Sequence, residues 1–110
     1  NNTKIIFGKN AKQNDEVSFK VAKKEHYYLH IKNEHGAHVI IQSANPTNDE
    51  ILIACEIALL MSGKEDGEVL YTQVKNLKKG EFLGQALVSI YSTFYIKEIR
   101  DSTKLLLTSY

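Results

Sequence analysis

The chain has 110 residues, with 14 Lys and Arg against 13 Asp and Glu, six Gly, one Pro and one Cys. That length sets one domain with one modest core, and a net charge of +1 argues against a uniformly basic nucleic-acid binder. A single cysteine, Cys55, excludes an intrachain disulfide and a Cys-based zinc site.

The scarcity of Pro and the ordinary Gly content leave no long linker or low-complexity tract. No N-terminal apolar run marks a signal peptide, and no stretch is apolar enough to span a membrane. A reduced, cytoplasmic setting is the expectation. The chain opens Asn1-Asn2-Thr3 without a Met, which reads as a piece cut from a longer protein. Charge is unevenly spread. Lys4, Lys9, Lys12, Lys20, Lys23, Lys24 and Lys32 meet only Asp15, Glu16 and Glu25 in the first third. Lys75, Lys78 and Lys79 form a second basic cluster, and Asp49, Glu50 and Glu56 an acidic one with no basic neighbour in sequence.

Thr3 to Phe7 reads as a first strand. Gly8-Lys9-Asn10 then breaks the pattern in a turn whose backbone N–H groups suit an anion, although the Walker spacing of Gly and Lys is absent. Gln13 to Lys24 fits either period: Val17, Phe19 and Val21 alternate, but Val17 with Val21 and Phe19 with Ala22 have helical spacing. Asn14 as N-cap, acids in the first turn and Lys in the last decide for a helix. Tyr27 to Lys32 and His38 to Gln42 are aromatic and β-branched, and read as two strands at the middle of a sheet. Asn33-Glu34-His35-Gly36 is the tight turn between them, with Gly36 taking the positive φ.

Thr47-Asn48-Asp49-Glu50 is a capping box. It opens a helix over Asn48 to Ser62, whose stripe Ile51, Cys55, Ala58, Leu59 and Ser62 should pack on the sheet with Leu52 beside it. Gly63 sits where a left-handed C-terminal residue belongs. Glu68 to Lys75 reads as a strand and Asn76 to Glu81 as a basic loop. Gln85 to Tyr91 and Thr93 to Ile99 read as a closing hairpin around Ser92. Lys104 to Leu107 is a last strand or a tail, with Leu105-Leu106-Leu107 expected to be covered.

His30, His35 and His38 invite a metal reading, but no further ligand at suitable spacing completes the set except Glu34. Imidazoles on a sheet can instead bond a carbonyl or a ligand. Cys55 falls in the apolar stripe, and no Gly-x-Ser-x-Gly elbow exists, so a nucleophile is not indicated. Asp49 and Glu50 are explained by the cap. What remains is polyanion recognition: Lys for charge, turn N–H groups as donors, and Tyr27, Tyr28, Tyr71 and Tyr91 on strands as stacking surfaces.

Three blocks in one order carry a resemblance. Gly8-Lys9-Asn10-Ala11-Lys12-Gln13-Asn14-Asp15 resembles the block that opens the NFACT-R domain family. Leu29-His30 followed by Gly36-Ala37-His38-Val39 resembles its paired histidine block. Tyr71-Thr72-Gln73-Val74-Lys75-Asn76-Leu77-Lys78-Lys79 resembles its Tyr-Thr-x-Val-Lys block. The resemblance runs from Thr3 to about Ile99. It implies an RNA-binding module without catalytic activity of its own. Such a module is usually the C-terminal domain of RqcH-type proteins, first described as fibronectin-binding proteins. Those proteins bind the large ribosomal subunit and tRNA during rescue of stalled nascent chains. The chain departs from the family at Tyr28-Leu29, His35, Lys79-Gly80 and Leu83-Gly84, and residues 100–110 have no counterpart.

The expected architecture is α+β: a mainly antiparallel sheet with two helices packed on it, over one domain of residues 1–110 with a core of 3–99. The expected function is RNA binding, to tRNA or large-subunit rRNA. The expected contacts are Lys9, Asn10, Lys12, Gln13, Asn14, His30, His38, Tyr71, Thr72, Lys75, Lys78 and Lys79. No catalytic residue, metal, cofactor or membrane contact is expected. A protein-binding module, such as an adhesin-like or assembly domain, and a small hydrolase using His30 and His38 are the alternatives.

Overall fold

The computed structural model describes residues 3–108. Among them the architecture is α+β. Strands β1 (Ile5–Phe7), β2 (Tyr27–Ile31), β3 (Val39–Ile41), β4 (Gly67–Gln73) and β7 (Ser92–Ile96) form one sheet in the order β1-β3-β2-β4-β7. Every neighbouring pair is antiparallel. Strands β5 (Leu77–Lys79) and β6 (Ala86–Val88) make a second, two-stranded sheet. Helices are α1 (Ala11–Glu16), α2 (Asn48–Leu60) and α3 (Asp101–Thr108).

Both faces of the large sheet are covered, which explains why β3 is the fully buried run Val39-Ile40-Ile41. Alternation along the strands divides the side chains between two cores. Leu29, Ile31, Val39, Ile41 and Val69 meet Ala54, Cys55, Ala58 and Leu59 of α2. On the other face Tyr28, Ile40 and Val74 gather Ile6, Val17, Leu70, Leu77, Ala86 and Val88, so the small sheet closes that side.

Helix α2 follows its sequence signals. Thr47 Oγ1 accepts from the Glu50 N–H at 3.1 Å, and Glu50 Oε1 accepts from the Thr47 N–H at 2.9 Å. Cys55, Ala58 and Leu59 are buried, Ile51 is half-buried, and Gly63 has φ 72°. The strand pair around residues 33–36 is also present, with β2 in the centre of the sheet. Its connection is longer than a tight turn, and Asn33 rather than Gly36 takes the positive φ, at 64°. Gly36 is required for close approach instead, because a Cβ there would lie 2.3 Å from Ser62 Oγ.

Several expectations are corrected. The first helix begins at Ala11, not Gln13, and its N-cap is Asn10: the Gln13 N–H donates to Asn10 Oδ1 at 2.9 Å. Asn14 cannot cap, because its amide is engaged across the fold. The helix widens into a π-turn over Val17–Val21 and stops before Lys23 and Lys24. It buries the polar side chains of Asn14, Asp15 and Ser18, while Val21 is exposed. Residues 77–79 are strand β5 rather than a loop. Gln85–Tyr91 and Thr93–Ile99 do not pair with each other; β6 pairs with β5, and β7 pairs with β4.

Residues 101–108 form a helix, neither strand nor tail, and Leu105 and Leu106 remain exposed. The part of the tail expectation that falls on Ser109 and Tyr110 lies outside the described residues. The acidic cluster does have a basic partner. Glu56, fully buried on α2, receives Arg100 N–H at 2.8 Å, Arg100 Nη2 at 3.0 Å and Thr103 Oγ1 at 2.6 Å. Arg100 Nη1 also reaches Asp49 at 3.1 Å. This fork pins α3 to α2.

Candidate nucleic-acid interface

The site is built outward from Asn14. Its Nδ2 donates to the Gly36 carbonyl at 3.2 Å, and its Oδ1 accepts from the His38 N–H at 3.1 Å. One buried amide therefore staples α1 to the connection between β2 and β3. The Gly8 N–H donates to the His38 carbonyl at 3.1 Å, and the Lys9 N–H to Gln13 Oε1 at 2.9 Å. Those two N–H groups of the Gly8-Lys9-Asn10 turn are thus used inside the protein, which corrects the expectation that they are offered to an anion.

His38 is 2% exposed, with Nδ1 2.7 Å from Ser18 Oγ. Its ring meets Tyr28 edge-on at 5.1 Å and His30 at 5.4 Å. Burial, reinforced by neighbouring His30, pushes the His38 pKa down to about 4, so the ring is neutral at pH 7. Burial also lowers the pKa of His30, partly offset by backbone groups of Ile31 and Gly36. The two imidazoles form a packed, uncharged pair with His30 on the outer side. Among the described residues no group of three or more His, Cys, Asp or Glu is placed to hold a metal ion.

Residues 80–91 complete the site. Gly84 has φ 79°, and a Cβ there would lie 2.8 Å from Ala11 Cα. Its N–H donates to Asp15 Oδ1 at 3.0 Å, and Asp15 is also paired with Lys79. The Lys79 hydrogen bond, against opposing desolvation, holds the Asp15 carboxyl below its ordinary range. These contacts hang the 82–91 segment beside His30. Between them lies a cleft of about 460 Å³, lined by His30, Lys32, His35, Leu83, Leu87 and Tyr91 among others. A second cleft of about 420 Å³ runs from His30 and His35 to Lys9 and Asn10. Among the described residues no Asp or Glu lines either one.

The family model of the NFACT protein RNA binding domain matches residues 1–92. The chain belongs to the NFACT-R family. The Rqc2 homolog RqcH of Bacillus subtilis (strain 168) is 36% identical to it over 78 residues, which is 68% of this chain and 14% of that protein. RqcH of Streptococcus suis (strain 05ZYH33) is likewise 36% identical over 78 residues, 70% of this chain and 14% of its own length. The C-terminal part of the fibronectin/fibrinogen-binding protein from Streptococcus suis superposes with a TM-score of 0.85 at 29% identity. That match covers 94% of this chain and 45% of the other. This NFACT-R domain thus corresponds to a small part of those RqcH proteins, 14% of their length.

Within the NFACT-R domain the residues singled out from sequence are distributed unevenly. Lys9, Lys12, Asn10 and Gln13 are exposed at the start of α1. Lys79 joins them through Asp15. Lys75 lies elsewhere, its N–H donating to the Lys24 carbonyl at 3.1 Å. Lys78 is exposed on β5. Thr72 is buried, donating to the Ile90 carbonyl at 2.6 Å and accepting from Asn76 Nδ2 at 3.0 Å. It anchors the far end of the 82–91 segment.

Tyr28, at 2% exposure, has no face free for a base. Tyr71 stacks on Tyr27 at 4.9 Å, on the face that carries α2, away from the His30 cleft. Tyr91 alone of the four keeps an exposed ring beside the cleft. Lys32, Leu83 and Leu87 were missed as cleft residues. The available signal was Phe82-Leu83 set between Gly80 and Gly84, large apolar residues in a turn-like stretch, which the structure leaves exposed.

Proposed function

We propose that this chain is an RNA-binding domain that contacts tRNA or large-subunit rRNA within a longer, cytoplasmic ribosome quality-control factor. It has no catalytic role in this reading. The observation that carries the reading is the match to an RNA-binding domain family over residues 1–92. It is supported by two clefts without a carboxylate, bordered by Lys9 and Lys32. The matched relatives are RqcH proteins, and the ribosomal setting is part of this proposal.

Lys9, Lys12, Lys75, Lys78 and Lys79 contact phosphates in this reading. Such contacts position the RNA without reading its sequence. Asn14, His38 and Thr72 hold the frame, and Asn10 and Gln13 shape the turn that presents Lys9 and Lys12. The fold contains no helix long and apolar enough to cross a membrane among the described residues.

The test is a titration of structured RNA at several salt concentrations with Lys75, Lys78 and Lys79 replaced by Ala, and separately with Lys9 and Lys12 replaced. Each true phosphate contact removed should reduce the slope of log K against log salt by about 0.7 on single strands or about 0.9 on duplex. Unchanged affinity and slope in both variants, with the fold intact, would show these lysines to be ordinary solvated surface. A protein-binding reading is favoured by the exposed side chains of Phe82, Ile90 and Tyr95. It requires binding that is insensitive to salt and lost on replacing those residues.

A further inference from the structure

We propose that the cleft between β2 and the 82–91 segment takes one unstacked nucleobase of single-stranded RNA, packed against Tyr91 and Leu83 and edged by His30 and His35. This assignment rests on the RNA-binding reading and deepens it, from phosphate contact to a defined base subsite.

Size comes first. A cleft of about 460 Å³ falls within the range of small-ligand sites, roughly 300–1,000 Å³, and suits one nucleotide but not a stacked pair. Its lining mixes polar side chains such as Lys32, Asn33 and Gln85 with an apolar stretch formed by Leu83, Leu87 and Tyr91. Leu83 is 59% exposed, Leu87 51% and Tyr91 42%, so the domain leaves three large apolar side chains in water along one groove. Covering them with a flat π-face recovers hydrophobic and dispersion energy without any requirement for a particular base.

The polar groups stand at the edge of that slot. His30 projects from the central strand, backed by His38 at 5.4 Å and by Tyr28 at 6.1 Å, so its ring is held by packing rather than by a mobile loop. A neutral imidazole has one donor and one acceptor nitrogen, functions that base edges match, and a base reaching His30 would compete with the Ile31 and Gly36 backbone for the donor. His35 lines the same cleft from the connecting segment and is exposed, so it adapts to what enters.

Charge then selects the ligand class. Lys32 lies at one end, 5.8 Å from the Tyr91 ring centre, and Lys9 at the far end of the adjoining cleft. Of the nearby carboxylates, Asp15 is paired with Lys79, and Glu34 with Lys64 at 2.6 Å. Glu68 lies 3.9 Å from Lys32, both partly in solvent, where such pairs are weak and easily exchanged for a phosphate. A base entering between Leu83 and Tyr91 would therefore have its flanking phosphates directed toward lysines. A duplex would keep its base faces hidden by stacking, which restricts the subsite to single strands, loops or ends.

The experiment uses the 110-residue chain and three short oligoribonucleotides of equal length. One carries ordinary bases, one a central 2-aminopurine, and one abasic sugars throughout its central stretch. Binding of the base-bearing strand should exceed that of a strand made fully abasic over the same central stretch by roughly fivefold to hundredfold, the worth of one stacked base. 2-Aminopurine emission should change on binding. Tyr91→Ala and Leu83→Ser, both at exposed positions that leave the core intact, should each remove most of that preference while retaining affinity for the abasic strand. Equal affinity of the parent for base-bearing and abasic strands would overturn the subsite and leave the RNA-binding reading standing. Failure of every strand to bind at low salt would overturn both. A base preference that survives both substitutions would place the base elsewhere and equally refute the cleft.

Discussion

Arg100→Ala should destabilise the domain out of proportion to the exposure of the residue replaced. The Arg100 side chain is 40% exposed, but the Glu56 carboxylate it serves is 0% exposed. Removing one partner of a fully buried pair costs about 3–5 kcal/mol, because the remaining charge is left in a low-dielectric site. Two donors survive the substitution: the backbone N–H of residue 100 at 2.8 Å and Thr103 Oγ1 at 2.6 Å. The guanidinium also retains some water in the native state, so the expected loss at pH 7 is about 2–3 kcal/mol. With a urea slope of about 1–2 kcal/mol per molar, the unfolding midpoint should fall by about 1–3 M.

Glu56 also makes the effect depend on pH. In the parent, desolvation alone would raise the Glu56 pKa, but hydrogen bonds from Arg100 and Thr103 outweigh it and hold the group below its ordinary value of 4.5. A depressed carboxylate contributes stability that is present above its unfolded pKa and is lost as pH falls through the folded one. In the variant, desolvation loses its main opponent and the Glu56 pKa rises. Protonation then relieves the buried charge. The stability difference between parent and variant should therefore shrink between pH 7 and about pH 4. Urea titrations at several pH values, with Glu56→Gln as the uncharged control, measure it. A loss under about 0.5 kcal/mol, the range of ordinary surface changes, or a difference that does not narrow on acidification, would refute the buried-pair reasoning.

Leu59→Ala, at 1% exposure between α2 and the sheet, should cost about 2–5 kcal/mol in the same urea assay, as a large-to-small change in a packed core. A value near zero would place the α2 stripe outside the core. Purified protein should carry no stoichiometric zinc, and a chelator should leave its melting temperature unchanged. Zinc near one equivalent with a chelator-sensitive fold would revive a metal role for His30 and His38.

The sequence by itself determined the features that neighbours in the chain decide. The capping box of Thr47 and Glu50 closes across three residues, so its two hydrogen bonds could be read from spacing. The aromatic and β-branched residues of Tyr27–Ile31 and Val39–Ile41 marked the central strands, because such side chains fit a pleated, half-buried surface whatever lies beyond them. The lysines at positions 9, 12, 75, 78 and 79 were visible as clusters, and three ordered blocks pointed to the family. Tertiary structure alone decided which groups meet. Glu56 and Arg100 are 44 residues apart, and Asp15 and Lys79 are 64 apart. Each pairing depends on how α2, α3 and the two sheets pack, and no periodicity encodes it. The same holds for Asn14, which has the chemistry of a helix cap but is drawn inward by Gly36 and His38, leaving the cap to Asn10. It holds also for the 82–91 segment. Its β6 strand pairs with β5 rather than β7, because closing the second core over Tyr28 and Ile40 buries Ala86 and Val88 at least in part. That choice of partner, driven by burial of apolar area rather than by local propensity, creates the cleft beside His30.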